Sequence, residues 1–155
     1  MEEYVAQIKK IPSKKIQLLS NGLCYGQCPE ADDEVEQRLT ILSDGRVWFT
    51  GYDYGIHDKP VLGRKMQFKI PKEHAAKLLV AFDQYFDSNP MILRVTDVGS
   101  WDLVLTDTDG TKHKFLGSMV EDLTVDGVGL SDLVRRLLPI DDLWVFSRPW
   151  EGYQP

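Results

Sequence analysis

A chain of 155 residues, 43% hydrophobic and 27% charged, has the size and balance of one globular domain that closes a core without disulfides or metals. Its 24 acids outnumber 18 bases for a net charge of −6, the wrong sign for a general phosphate-backbone binder and mildly favourable to partners with basic surfaces. The longest apolar run, Leu78-Leu79-Val80-Ala81-Phe82, is far too short to span a bilayer, and the first residues hold no signal-peptide core. The expectation is a cytoplasmic protein that engages neither membrane nor nucleic acid.

Residues 1–13 read as a terminal arm or short helix, and Lys15 to Leu19 as a first strand ending at Ser20-Asn21-Gly22. The acidic stretch Glu30 to Glu36 reads as a solvated loop or strand lead-in, because closely spaced like charges resist burial. A hairpin turns at Ser43-Asp44-Gly45. A three-residue loop with Gly45 left-handed pairs Ile41 with Val47 and Leu39 with Phe49, which puts all four apolar side chains on one face. That register leaves Trp48 on the outer face. Gly51 to Gly55 breaks or kinks the strand, residues 56–63 read as a polar loop, and Lys65 to Ile70 alternates as a strand.

Pro71 opens a helix whose Ala75, Leu78, Leu79, Phe82, Tyr85 and Phe86 form one apolar stripe, with Asn89-Pro90 beyond its end. Trp101 to Thr106 and Lys112 to Phe115 make a second hairpin around Thr108-Asp109-Gly110. A second helix runs from about Leu130 to Leu138, stopped by Pro139. Leu143 to Phe146 is a short strand or a packed apolar turn, and residues 147–155 form a tail expected to lie across the surface. The pattern predicts one α+β domain: an antiparallel sheet of about five or six strands with two main helices on one face.

Cys24-Tyr25-Gly26-Gln27-Cys28-Pro29, the strand Leu39 to Val47 through Asp44-Gly45, then Gly51, Thr96-Asp97 and Trp150 occur in an order that resembles a bacterial family of small domains of unknown function. That family is marked by a Cys-x-Gly-x-Cys-Pro loop before a strand ending in Asp-Gly, and the resemblance spans roughly residues 15–150. It implies a fold and no activity. The insertion of Glu30 to Glu36 departs from the pattern, in which the strand follows Pro29 almost at once.

Cys24 and Cys28 are the redox candidates, since the intervening glycine allows their Cα atoms to approach disulfide distance. Against this, no adjacent cation lowers a thiol pKa, and two structural thiols are the plainer reading. A zinc site would need two of His57, His74 and His113 to converge on them, and no histidine pair has ligand spacing. His74 and His113 read as surface or edge residues, so neither a metal nor a cofactor is expected. Asp126-Gly127-Val128-Gly129 precedes a helix whose N-terminus could hold an anion, but a plain helix entry is the better reading. Asp107-Thr108-Asp109-Gly110 lacks the remaining ligands of a calcium loop and reads as a turn.

The aromatic residues Trp48, Tyr52, Tyr54, Trp150 and Tyr153 are the binding candidates, because exposed Trp and Tyr anchor protein interfaces and also stack on sugars. The competing reading has the tail fold back and bury Trp48 against Trp150. The sequence therefore points to a non-catalytic interaction protein, inhibitor- or immunity-like, with another protein as partner. A thiol redox protein or sensor and a carbohydrate-binding module are the alternatives.

Overall fold

The computed structural model describes residues 11–23, 29–56, 59–88 and 98–149. Within them the chain is α+β. Strands β1 (Ser13–Asn21), β2 (Glu34–Leu42), β3 (Arg46–Asp53), β4 (Val61–Lys69), β5 (Ser100–Asp107) and β6 (Lys112–Ser118) form one antiparallel sheet in the order β4-β3-β2-β1-β5-β6. Helix α1 (Lys72–Ser88) follows edge strand β4, and the chain returns to pair β5 with β1. A small ribbon, β7 (Thr124–Val125) with β8 (Val128–Gly129), leads into helix α2 (Leu130–Leu137).

The first hairpin has the register that its alternation requires, with Leu39 opposite Phe49 and Ile41 opposite Val47. Gly45 closes it with φ +95°, donating its N–H to the Leu42 carbonyl at 2.9 Å. A Cβ there would also collide with the Ile70 carbonyl, so two independent constraints select glycine. The β5–β6 turn repeats this chemistry: Gly110, at φ +87°, donates to the Asp107 carbonyl at 2.9 Å.

Gly51 kinks β3 without ending it. The register against β4 shifts between Gly51 and Tyr52, and the strand continues to Asp53. The reading of residues 56–63 as one polar loop is corrected here, because β4 begins at Val61 and pairs Val61 and Leu62 with Asp53 and Tyr52. Both apolar side chains are exposed on the edge strand, so burial did not select them and alternation could not reveal them.

Both helices pack on the same sheet face. Ala75, Leu78, Leu79, Phe82 and Phe86 of α1 and Leu130, Leu133 and Val134 of α2 join Ile16, Leu18, Phe49, Trp101, Leu103 and Leu105 in one core. At its centre Phe146 lies 4.8 Å from Trp101, 5.5 Å from Phe82 and 5.9 Å from Phe86, measured between ring centroids. Tilted and edge-on rings at these separations contribute beyond area burial alone.

Leu143 to Phe146 resolves as the packed turn, wholly buried. A buried turn must find partners for its backbone groups, and four side chains supply them. The Gln37 amide oxygen accepts from Trp144 N at 2.9 Å, the Ser20 hydroxyl donates to the Val145 carbonyl at 2.7 Å, and the Ser131 hydroxyl accepts from Phe146 N at 3.0 Å. The Arg135 guanidinium, 2% exposed, donates to the carbonyls of Leu143, Trp144 and Ser147 and to the Asp132 carboxylate at 3.0 Å. Arg135-Arg136, a basic patch in the linear sequence, is thus a buried clamp beside an exposed arginine.

Candidate functional site

Cys24, Cys28, His57, Trp150 and Tyr153 lie outside the described residues, as do residues 1–10 of the terminal arm. The two ends of the cysteine segment are described. Gly22 donates to the Val35 carbonyl at 2.8 Å, and Leu23 N to the Asn21 side-chain oxygen at 2.9 Å. Arg148 stacks 4.7 Å over the Trp144 ring and donates to the Gly22 carbonyl. A Cβ on Gly22 would strike that guanidinium and lie 2.9 Å from the Trp144 ring. The neck of the segment is therefore held by the C-terminal part of the described chain.

Trp48 and Tyr52 share the sheet face opposite the core, since Trp48 pairs with Thr40 and Tyr52 with Glu36, both out of phase with buried Leu39 and Gln37. Both are half-buried. Tyr54 lies past the end of β3, where its N–H donates to the Asp33 carbonyl at 2.8 Å, and so is not part of that strand's row. Each of the two in-row rings carries a guanidinium: Arg46 lies 5.5 Å above Trp48, and Arg38 lies 4.7 Å above Tyr52. Glu36 holds Arg38 at 2.7 Å and Asp44 holds Arg46 at 2.8 Å.

No described element covers this face. Its alternating positions present Lys15, Gln17 and Leu19 on β1, Arg38, Thr40 and Leu42 on β2, Lys65, Gln67 and Lys69 on β4, Asp102 and Val104 on β5, and Lys112, Lys114 and Leu116 on β6. Among the described residues Lys15, Lys65, Lys69, Lys112 and Lys114 enter no ion pair. A depression of about 470 Å³ runs across the middle of the face, with Gln17, Thr40, Arg38, Asp102, Lys112 and Lys114 among its lining. Sequence inspection missed this cationic row. The signal was present as alternation, Lys65/Lys69 in one strand and Lys112/Lys114 in another, but it becomes a cluster only when the strands pair.

The other polar constellations join parts of the fold. Arg64 makes a two-pronged bond to the Glu34 carboxylate, 2.8 Å on each prong, reaches Asp142 at 2.9 Å, and stacks 4.9 Å over Phe49. The Glu34 carboxylate drives the already high pKa of that guanidinium higher still. A Cβ on Gly51 would occupy the place of the Glu34 carboxylate, which explains a glycine in mid-strand. Glu34 is therefore a structural anion. Only the first part of the acidic stretch, Glu30 to Asp33, is exposed as expected.

His113 lies opposite Leu105 on edge strand β6, and its Nε2 is 2.9 Å from Asp107 Oδ2. The other Asp107 oxygen accepts from Asp109 N at 2.9 Å and Thr111 N at 3.0 Å. The His113 bond, with those two N–H donors, outweighs burial and holds the Asp107 carboxyl below the usual carboxylate range. The carboxylate is thus a turn residue that also orders an imidazole. At the start of α2 the anion is the chain's own: Asp122 accepts from Ser131 N at 2.9 Å and lies 3.4 Å from Asp132 N. A Cβ on Gly129 would displace it. Among the described residues no group of three or more His, Cys, Asp and Glu is placed to hold a metal ion.

Comparison with models of known protein families and with curated proteins finds no match to this chain.

Proposed function

We propose that this protein is a non-catalytic interaction protein that binds another protein through the open face of its sheet. One observation carries the reading: Trp48 and Tyr52 stand half-exposed in a row on a face that no described element covers. Each ring has its own arginine stacked over it. Trp, Tyr and Arg are the residues that most often dominate binding energy at protein interfaces, and rigid rings lose little entropy on docking. Six strands of eight or so residues give a face roughly 25 Å on a side, an area on the order of that contributed by one partner to a standard interface.

The same arginines weigh against carbohydrate binding, in which a sugar ring needs the indole face that Arg46 occupies. A cytoplasmic setting is consistent with the reading, and no helix among the described residues is long and apolar enough to cross a membrane. The test is photo-crosslinking from Thr50 and Gln67 on the open face, with Lys77 on α1 as control. The expected result is one protein adduct common to Thr50 and Gln67, lost in Trp48→Ala and absent from Lys77. Adducts only from Lys77, or none from the open face, overturn the proposal.

A further inference from the structure

The chain carries a net charge of −6, yet its open sheet face gathers seven cationic side chains: Lys15, Arg38, Arg46, Lys65, Lys69, Lys112 and Lys114. Against them stand Glu36, Asp44 and Asp102, of which Glu36 is spent on Arg38 and Asp44 on Arg46, leaving the five lysines with Asp102 alone. Neighbouring strands lie about 4.8 Å apart, well inside a Debye length of about 8 Å, so adjacent cations feel one another. Such a gathering weakens the isolated fold slightly through self-repulsion, and among the described residues the five lysines have no ion-pair partner in return.

We infer that the partner of this face is a protein presenting an acidic surface, with carboxylates entering the depression between Arg38, Lys112 and Lys114. The inference rests on the interaction reading above and adds the chemistry of the partner. The depression offers a carboxylate charge-assisted bonds from the cations and neutral hydrogen bonds from Gln17 and Thr40. Leu19 and Val104 line the same depression, with the 45% exposed Leu116 beside it on the edge strand, and give the mixed apolar and polar character of a protein interface. A nucleic acid would also satisfy the lysines, but base stacking needs free ring faces, and Arg46 and Arg38 already lie over Trp48 and Tyr52.

Fluorescence anisotropy of a labelled poly-glutamate peptide, titrated with the full chain, tests this against single-stranded DNA of equal charge. The peptide is expected to bind, to weaken about tenfold between roughly 50 and 300 mM salt, and to be lost in Lys112→Glu/Lys114→Glu. Lys72→Glu/Lys77→Glu on α1 changes net charge equally and is expected to alter binding by less than about twofold. Tighter binding of DNA, equal losses in the two double variants, or no binding at low salt overturns the inference. The two proposals fail separately. If the adduct from Thr50 and Gln67 persists in Lys112→Glu/Lys114→Glu, the acidic partner falls and the interaction reading stands.

Discussion

The same strands, read at odd and even positions, produce two surfaces of opposite character. On one side Ile16, Leu18, Leu39, Ile41, Val47, Phe49, Leu103 and Leu105 are all nearly inaccessible beneath two helices. On the other, one residue along in each case, stand Gln17, Leu19, Thr40, Trp48 and Val104, half-exposed, with lysines around them. An antiparallel sheet needs only one buried face to be stable. The second face is therefore free to vary with little cost to the fold, and the difference between the two separates what holds this protein together from what it presents to others.

Substitution experiments sharpen that contrast. The largest effect is expected from Phe82→Ala, which empties the meeting point of α1 with the C-terminal turn and should cost about 3–5 kcal/mol in denaturant unfolding. Arg135→Met comes next, at about 3 kcal/mol, because three backbone carbonyls lose their donor inside the protein. Trp48→Ala and the paired lysine reversals on the open face should move stability far less, within about 1 kcal/mol, while abolishing partner capture. If Trp48→Ala unfolds the protein as Phe82→Ala does, the division between the faces is wrong.

The smallest expected effect is a pH dependence at Asp107. Its folded pKa lies below the ordinary value of about 3.9, so the His113 bond adds stability above that value and loses it as pH falls through the depressed folded one. Unfolding midpoints of the native chain and Asp107→Asn should therefore converge as pH drops below about 4. A gap that stays constant down to about pH 2 would remove the assignment.

Much of the core face was legible because local spacing encodes it. The Leu39/Ile41 against Val47/Phe49 register, the α1 stripe from Ala75 to Phe86 and the stop at Pro139 each follow from periodicity and turn chemistry. The placement of β5 beside β1 is not local, because Ser20 and Trp101 pair across a separation that no window spans. Gln37 and Arg135 look like surface residues in the sequence, and their burial appears only once the turn at Leu143 to Phe146 is in place. The open face was half legible. Trp48 was placed on it by register, whereas the cations of β1, β4 and β6 converge only through the sheet order. Cys24 and Cys28, the sequence's other focus, lie outside the described residues and are left as they stood.

Phe146 has a consequence for how the chain is made. It enters the aromatic cluster from a turn formed long after Phe82 and Trp101 have been synthesised, and Gln37, Ser20 and Arg135 wait for that turn as well. Until Leu143 to Phe146 has left the ribosome, the growing polypeptide carries greasy rings and polar groups whose counterparts do not yet exist. Folding during translation should accordingly lag until the turn at Leu143 to Phe146 has emerged, because the core of the sheet face closes only around it.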